Sequence, residues 1–253
     1  MYTRSHQPPE YAEKPAATQI PPPSTGDTKG KEHPPIPPAN PPTQSFTPRR
    51  TLTISTLGQS WFRLPLPPRN LVTPILRGPA DTAYVSTRRA RCSGDCILTT
   101  SSGEEVSKTS YFFGPGRSRS PVVSFYRGLE VLETRVESLG RICSRAAGFH
   151  LDGEKWEWRY ETDVRPRIEG DDEMKTNLLV LYRSGTKVAE LVRNDETRTE
   201  GTSWSYAGNG GVLVMGDVDE VVVVATAMVM LKREVDRRRL VQMMIIGGAA
   251  GGF

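Results

Sequence analysis

The sequence predicts a mainly β fold arranged around one buried helix and preceded by a disordered proline-rich tail, and three observations carry that expectation. Residues 221–231 (VVVVATAMVML) form an eleven-residue apolar run broken only by Thr226. From Thr51 onward, short β-prone runs alternate with glycine, proline and serine turn signals, the pattern of antiparallel strands in series. Ahead of them, residues 1–50 hold thirteen of the twenty-one prolines and only scattered apolar side chains. Such a segment cannot bury enough surface to offset its ordering entropy. The chain has 253 residues, so about 200 are left for one domain with a sizeable core.

The tail contains Pro21-Pro22-Pro23 and a second proline-rich run from Pro34 to Pro42, both of which favour extended polyproline II geometry. It reads as a solvated spacer, and alternatively as a ligand for SH3 or WW grooves that would make the chain an interaction scaffold.

Residues 51–56, 83–86, 97–100, 105–113 and 122–126 each suit a strand, with Gly78-Pro79, Ser102-Gly103 and Gly114-Pro115-Gly116 between them. Residues 129–139 (LEVLETRVESL) put Leu129, Leu132, Val136 and Leu139 on one helical face, so a short helix is expected to interrupt the meander. In Lys155-Trp156-Glu157-Trp158-Arg159-Tyr160 three aromatics alternate with charged residues, as a strand with one face on the core requires. Residues 177–182 and 188–192 are joined by Arg183-Ser184-Gly185-Thr186-Lys187, a hairpin connection. A last strand pair, 203–206 and 212–215, flanks Gly208-Asn209-Gly210-Gly211.

The helix is expected over about residues 218–239. Acids precede the apolar run and Lys232-Arg233 follow it, which suits the helix dipole, and Asp217 with Glu220 has the capping-box spacing. A helix apolar on nearly every side must be enclosed, and eleven residues fall far short of the ~20 that cross a bilayer. Protein must therefore surround it. Arg237-Arg238-Arg239 then serve the helix C-terminus, and the glycines of residues 247–253 should stop or fray any helix and leave a flexible end.

Four segments in order resemble the tubby C-terminal-like superfamily. They are Asp81-Thr82-Ala83-Tyr84-Val85-Ser86-Thr87, Asp152-Gly153-Glu154-Lys155-Trp156-Glu157-Trp158-Arg159, Lys187-Val188-Ala189 and residues 220–231. The likeness spans roughly residues 51–246 and is to a fungal branch akin to LURP-one-related proteins and phospholipid scramblases. The chain departs from the family strand Tyr-x-Val/Ile-x-Thr in placing Val85 directly after Tyr84, and in long connections at 92–105 and 114–120. The resemblance implies a closed antiparallel β-barrel wrapped around the C-terminal helix. Closure would also remove exposed strand edges. Since tubby-like domains include phosphoinositide binders, it further implies an anionic phospholipid as partner.

Arg88, Arg89, Arg91, Arg117 and Arg119 lie in or beside connections, where guanidinium forks can meet phosphates bidentately. They are the expected anion or lipid site, the alternative being that they merely keep the barrel soluble. Ser120-Pro121 is a candidate phosphorylation site whose added charge would oppose anion binding.

No catalytic, metal or cofactor site is expected. His150 is the sole histidine outside the tail and has no nucleophile motif around it. Cys92-x-x-x-Cys96 supplies two thiols where a structural zinc site wants four ligands, with Cys143 and His150 far along the chain. Glu169-Gly170-Asp171-Asp172-Glu173 lacks the alternation of a calcium loop. Gly208-Asn209-Gly210-Gly211 has no following Lys-Ser or Lys-Thr and precedes a strand, so it reads as a positive-φ hairpin turn instead of a phosphate loop.

A formal charge of +4 spread over 33 basic and 29 acidic side chains points to no nucleic-acid partner. Three cysteines suit a reducing, intracellular compartment. The N-terminus has no signal-peptide core and no transmembrane run follows, so a cytoplasmic monomer with peripheral membrane association is expected.

Overall fold

The computed structural model describes residues 46–62, 64, 66, 71–90, 93–111, 120–139, 145–166 and 173–250. The polyproline segments, Arg91, Cys92, Arg117, Arg119, Cys143 and the acidic run before Glu173 lie outside them, and so do the expectations placed on those residues.

Among the described residues thirteen strands make one antiparallel sheet. They are β1 (Arg50–Ile54), β2 (Val72–Leu76), β3 (Thr82–Arg88), β4 (Cys96–Thr100), β5 (Glu105–Ser110), β6 (Val122–Arg127) and β7 (Glu130–Arg135), then β8 (Glu137–Ser138), β9 (Ala147–Leu151), β10 (Glu154–Pro166), β11 (Glu173–Arg183), β12 (Thr186–Arg193) and β13 (Gly211–Met215). Two meanders, β1 to β7 and β8 to β13, are joined where β1 pairs with β13, from Arg50↔Met215 to Ile54↔Gly211. The chain joins the sheet slightly before Thr51. Arg49 N donates to Met215 O at 2.8 Å, and the Lys187 ammonium lies 5.0 Å from the Phe46 ring. At the opposite side β7 meets β9 through Thr134 Oγ1, which donates to His150 O at 2.7 Å. The result is a nearly closed barrel.

Its axis is α1 (Glu220–Ala250). Val222, Val223, Val224, Ala227, Val229 and Leu231 are all buried, so the valines that would weaken an isolated helix are held by enclosure. Each fully buried Val or Leu contributes about 1.5–3 kcal/mol. Thr226 is buried too. Its Oγ1 donates to Val222 O at 2.7 Å and accepts from Trp158 Nε1 at 3.0 Å. Trp156 and Trp158 share the inner face of β10 as their alternation requires, Trp156 stacking on Phe149 at 5.6 Å.

The N-cap is Asp219, not Asp217. Asp219 Oδ1 accepts from the amides of Val221 and Val222 at 3.0 and 3.4 Å. Those are the second and third helical positions, the donors an N-cap side chain reaches. Asp217 is exposed and pairs with Arg49 at 3.2 Å, while Glu220 pairs with Arg77 at 2.9 Å.

The helix also continues to Ala250, past the expected stop at the glycines. Extending an existing helix costs only about 1 kcal/mol per glycine and no new nucleus. Arg237, Arg238 and Arg239 therefore sit in mid-helix and cannot act on its C-terminus.

Residues 129–139 form no helix. Leu129 sits in the Gly128-Leu129 turn, and β7 continues from it. Along the strand Leu132, Thr134 and Val136 face inward, while Val131, Glu133 and Arg135 are exposed. Period two won because β6 supplies a full ladder of partners. Residues 203–206 are turns, since both edges of β13 are already taken by β1 and β12. The hairpin at Ser184-Gly185 is present, with φ of 48° and 86°, and Asp152-Gly153 makes a like turn at 54° and 75°. Two positive φ values in succession are the primed geometry that matches strand twist. In Gly208-Asn209-Gly210-Gly211 only Gly208 has positive φ. Gly210 is needed for close approach, because a Cβ there would lie 1.8 Å from Ile54 O.

Candidate functional site

The inner wall formed by β3, β4 and β5 carries a polar row. Arg88 pairs with Cys96 across β3–β4, and Cys96 with Thr109 across β4–β5. Ser86, two residues before Arg88, points to the same side by strand alternation. These small side chains do not fill the space to the helix. A cavity of ≈ 450 Å³ remains between this wall and Met228, Leu231, Lys232 and Val235 of α1. Leu57, Leu64 and Leu66 line its outer side, the last two well exposed.

At its polar end Arg88 and Lys232 face the cavity, and Lys232 is paired with a buried carboxylate. Lys232 Nζ lies 2.5 Å from both carboxylate oxygens of Asp236, and Arg239 lies 3.6 Å from Oδ1. Asp236 is 1% exposed. The Arg88 guanidinium feels both Asp236 and Arg239. Burial lowers the pKa of Arg88 and of Lys232, and for each the nearby Asp236 acts in the opposite direction. Tyr111 lies under Lys232, its ring centroid 5.3 Å from Nζ, and burial together with Asp236 pushes its phenol far up. Burial likewise raises the Cys96 thiol, although Thr109, Ser86 and Arg88 act against it. A thiol so held is a poor nucleophile.

Of the expected arginines, Arg88 is drawn into this wall and Arg89 is exposed in the bend beyond β3. The two do not form one surface patch. His150 is exposed on β9, with its carbonyl engaged by Thr134. Among the described residues no group of three or more His, Cys, Asp or Glu could hold a metal, and no helix is long and apolar enough to cross a membrane. Lys232, Asp236 and Tyr111 were not expected from the sequence, although the i, i+4 pair just beyond the apolar run marks the helix face that continues inward.

A second, more polar cleft of ≈ 340 Å³ lies nearer the helix end. Its floor is Glu234, which accepts from Arg193 at 2.7 and 2.8 Å, from Tyr160 Oη at 2.6 Å and from Gly208 N at 2.6 Å. Burial pushes the Glu234 carboxyl up, but Arg193, Tyr160 and the Gly208 amide more than offset it and hold it below the usual carboxylate range. The anion that the glycine-rich turn receives is thus an internal one.

No family model, curated protein or solved structure matches the chain, so the chemistry of these cavities is what bears on function.

Proposed function

We propose that the chain is a non-enzymatic, tubby-like binding module for an anionic lipid at the cytoplasmic face of a membrane. The carrying observation is the ≈ 450 Å³ cavity, apolar along α1 and along Leu57, Leu64 and Leu66, with Arg88 and Lys232 at one end. Its volume falls within the ~300–1,000 Å³ of small-molecule sites, which are mostly apolar with a few placed polar groups. The charged end of the lipid meets Arg88 and Lys232, and its hydrocarbon lies along Leu57, Leu64, Leu66 and Leu231. Both cations face this space, and guanidinium and ammonium groups donate charge-assisted hydrogen bonds to phosphate or carboxylate oxygens. The nearly closed barrel around an enclosed helix is the architecture implied by the tubby-like resemblance, and it supports the same reading.

The test uses the full chain and a fluorescent fatty acid kept below its micelle concentration. Saturable uptake is expected, weakened at least tenfold by Arg88→Ala with the melting temperature unchanged. Uptake equal to wild type in that variant would remove Arg88 from the site, and with it this reading of the cavity.

A further inference from the structure

Beyond the cavity, the end of α1 emerges uncovered. Leu240, Val241, Met243, Met244, Ile245 and Ile246 are 37–60% exposed. Only Gln242 between them is buried, because its Nε2 donates to Ser60 O at 3.0 Å and to Trp61 O at 2.9 Å. Those bonds hold Ser60 and Trp61 alongside, and of the apolar residues that follow, Phe62 is 94%, Leu64 70% and Leu66 64% exposed. The Arg238 guanidinium stacks over the Trp61 ring at 4.0 Å. One end of the molecule is therefore apolar over two segments, with arginines immediately behind it.

The arrangement selects its occupant. Successive helical positions are about 100° apart, so the four residues from Met243 to Ile246 point to every side of the helix. A protein groove or a second copy of the chain covers one side of a helix, whereas hydrocarbon covers all of them. From Met243 to Ala250 the helix extends about 12 Å at 1.5 Å per residue. That is well under the ~30 Å hydrocarbon core, so the tip would enter one leaflet without spanning the bilayer. Arg237 and Arg238 lie between one and two turns back, at the height where basic side chains meet lipid phosphates, while Arg239 is turned inward toward the buried Asp236.

We infer that this end of the molecule docks into an anionic bilayer, the tip of α1 together with Phe62, Leu64 and Leu66 entering the acyl region and Arg237 and Arg238 at the level of the phosphates. The inference rests on the lipid reading of the cavity, since Leu64 and Leu66 both line that cavity and belong to the inserted face. A lipid would pass between bilayer and cavity across them.

The experiment is co-sedimentation of the full chain with phosphatidylcholine vesicles, with and without phosphatidylserine, read together with quenching of tryptophan fluorescence by bromine-labelled acyl chains. Binding at least tenfold stronger to the serine-containing vesicles is expected, with quenching that falls when Trp61 is replaced by Phe. Met244→Asp with Ile245→Asp, both on exposed positions, should abolish vesicle binding and leave the circular dichroism and melting temperature as they were. Arg88→Ala should bind vesicles as wild type does while losing fatty-acid uptake, which separates failure of the docking face from failure of the cavity. Wild-type binding by the double aspartate variant, or no binding of wild type to either vesicle, would overturn the inference. So would a lipid-free dimer dispersed by the same two aspartates, which would make the face a contact between copies.

Discussion

Thr226 is the single polar break in the apolar run, and its hydroxyl gives the Trp158 indole its partner. Thr226→Val keeps shape but removes the acceptor, leaving a buried indole N–H unsatisfied. The expected loss is about 1–3 kcal/mol in denaturant unfolding, largely restored by Thr226→Ser. Two carboxylates carry a pH dependence. Glu190, 6% exposed in its side chain, meets Arg165 at 2.8 Å and Lys187 at 2.7 Å. Burial raises its pKa, but those partners prevail and leave it below the usual carboxylate range, as with Glu234. A depressed folded-state pKa means stability that is full above the unfolded value and drains away as pH falls through the folded one. Unfolding midpoints should therefore drop below the usual carboxylate range, and Glu190→Gln should flatten that slope. Removing the acid altogether from the buried Arg193 pair, by Glu234→Ala, should cost about 3–5 kcal/mol.

At the scale of the element, the buried helix and the aromatic strand were legible because their patterns admit one reading: a run apolar on all sides, and strict alternation of Trp156, Trp158 and Tyr160. Val224→Asp is expected to cost several kcal/mol and to abolish soluble expression; normal stability would mean that α1 is not the axis of the fold. Residues 129–139 were misread because a period near 3.6 and a period of two coincide at Leu132 and Val136, and only the neighbouring β6 decides between them. The ends of α1 failed for another reason. Asp219 stands directly before the first helical residue and caps it while also meeting Arg127, and Glu220, the other half of the expected box, turns instead to Arg77 just past β2. Gly208 belongs at this scale too. Its φ is 67°, and a Cβ there would lie 2.4 Å from Leu231 O. Gly208→Ala should destabilise by about 1–3 kcal/mol, measured by thermal melting.

For the whole molecule, the barrel could be anticipated from the need to enclose a helix, but its cavities could not. The arginine-rich connections drew attention to Arg88 for its surface charge. Strand parity is what turns it inward beside Ser86, and cross-strand register is what sets it next to Cys96 and Thr109. Lys232 faces the same space only because α1 fixes its height against that row. The barrel should also open unevenly. β8 has two residues and β7 meets β9 through few bonds, while β10 and β11 share an unbroken ladder from Trp156↔Arg183 to Pro166↔Glu173. Hydrogen exchange should be fastest along β7 to β9 and slowest in β11, β12 and the Val221–Leu231 part of α1; uniform protection would contradict this.

α1 follows every described strand, yet it lies at the centre of the core they build. During synthesis the inner faces of both meanders emerge from the ribosome with nothing to cover them, and β1 waits for β13 across more than half the chain. Contacts so distant in sequence form slowly and leave apolar surface open to aggregation meanwhile. The nascent chain is therefore a natural client for holding chaperones, and a premature stop anywhere before Glu220 would yield no smaller stable domain but a protein without a core.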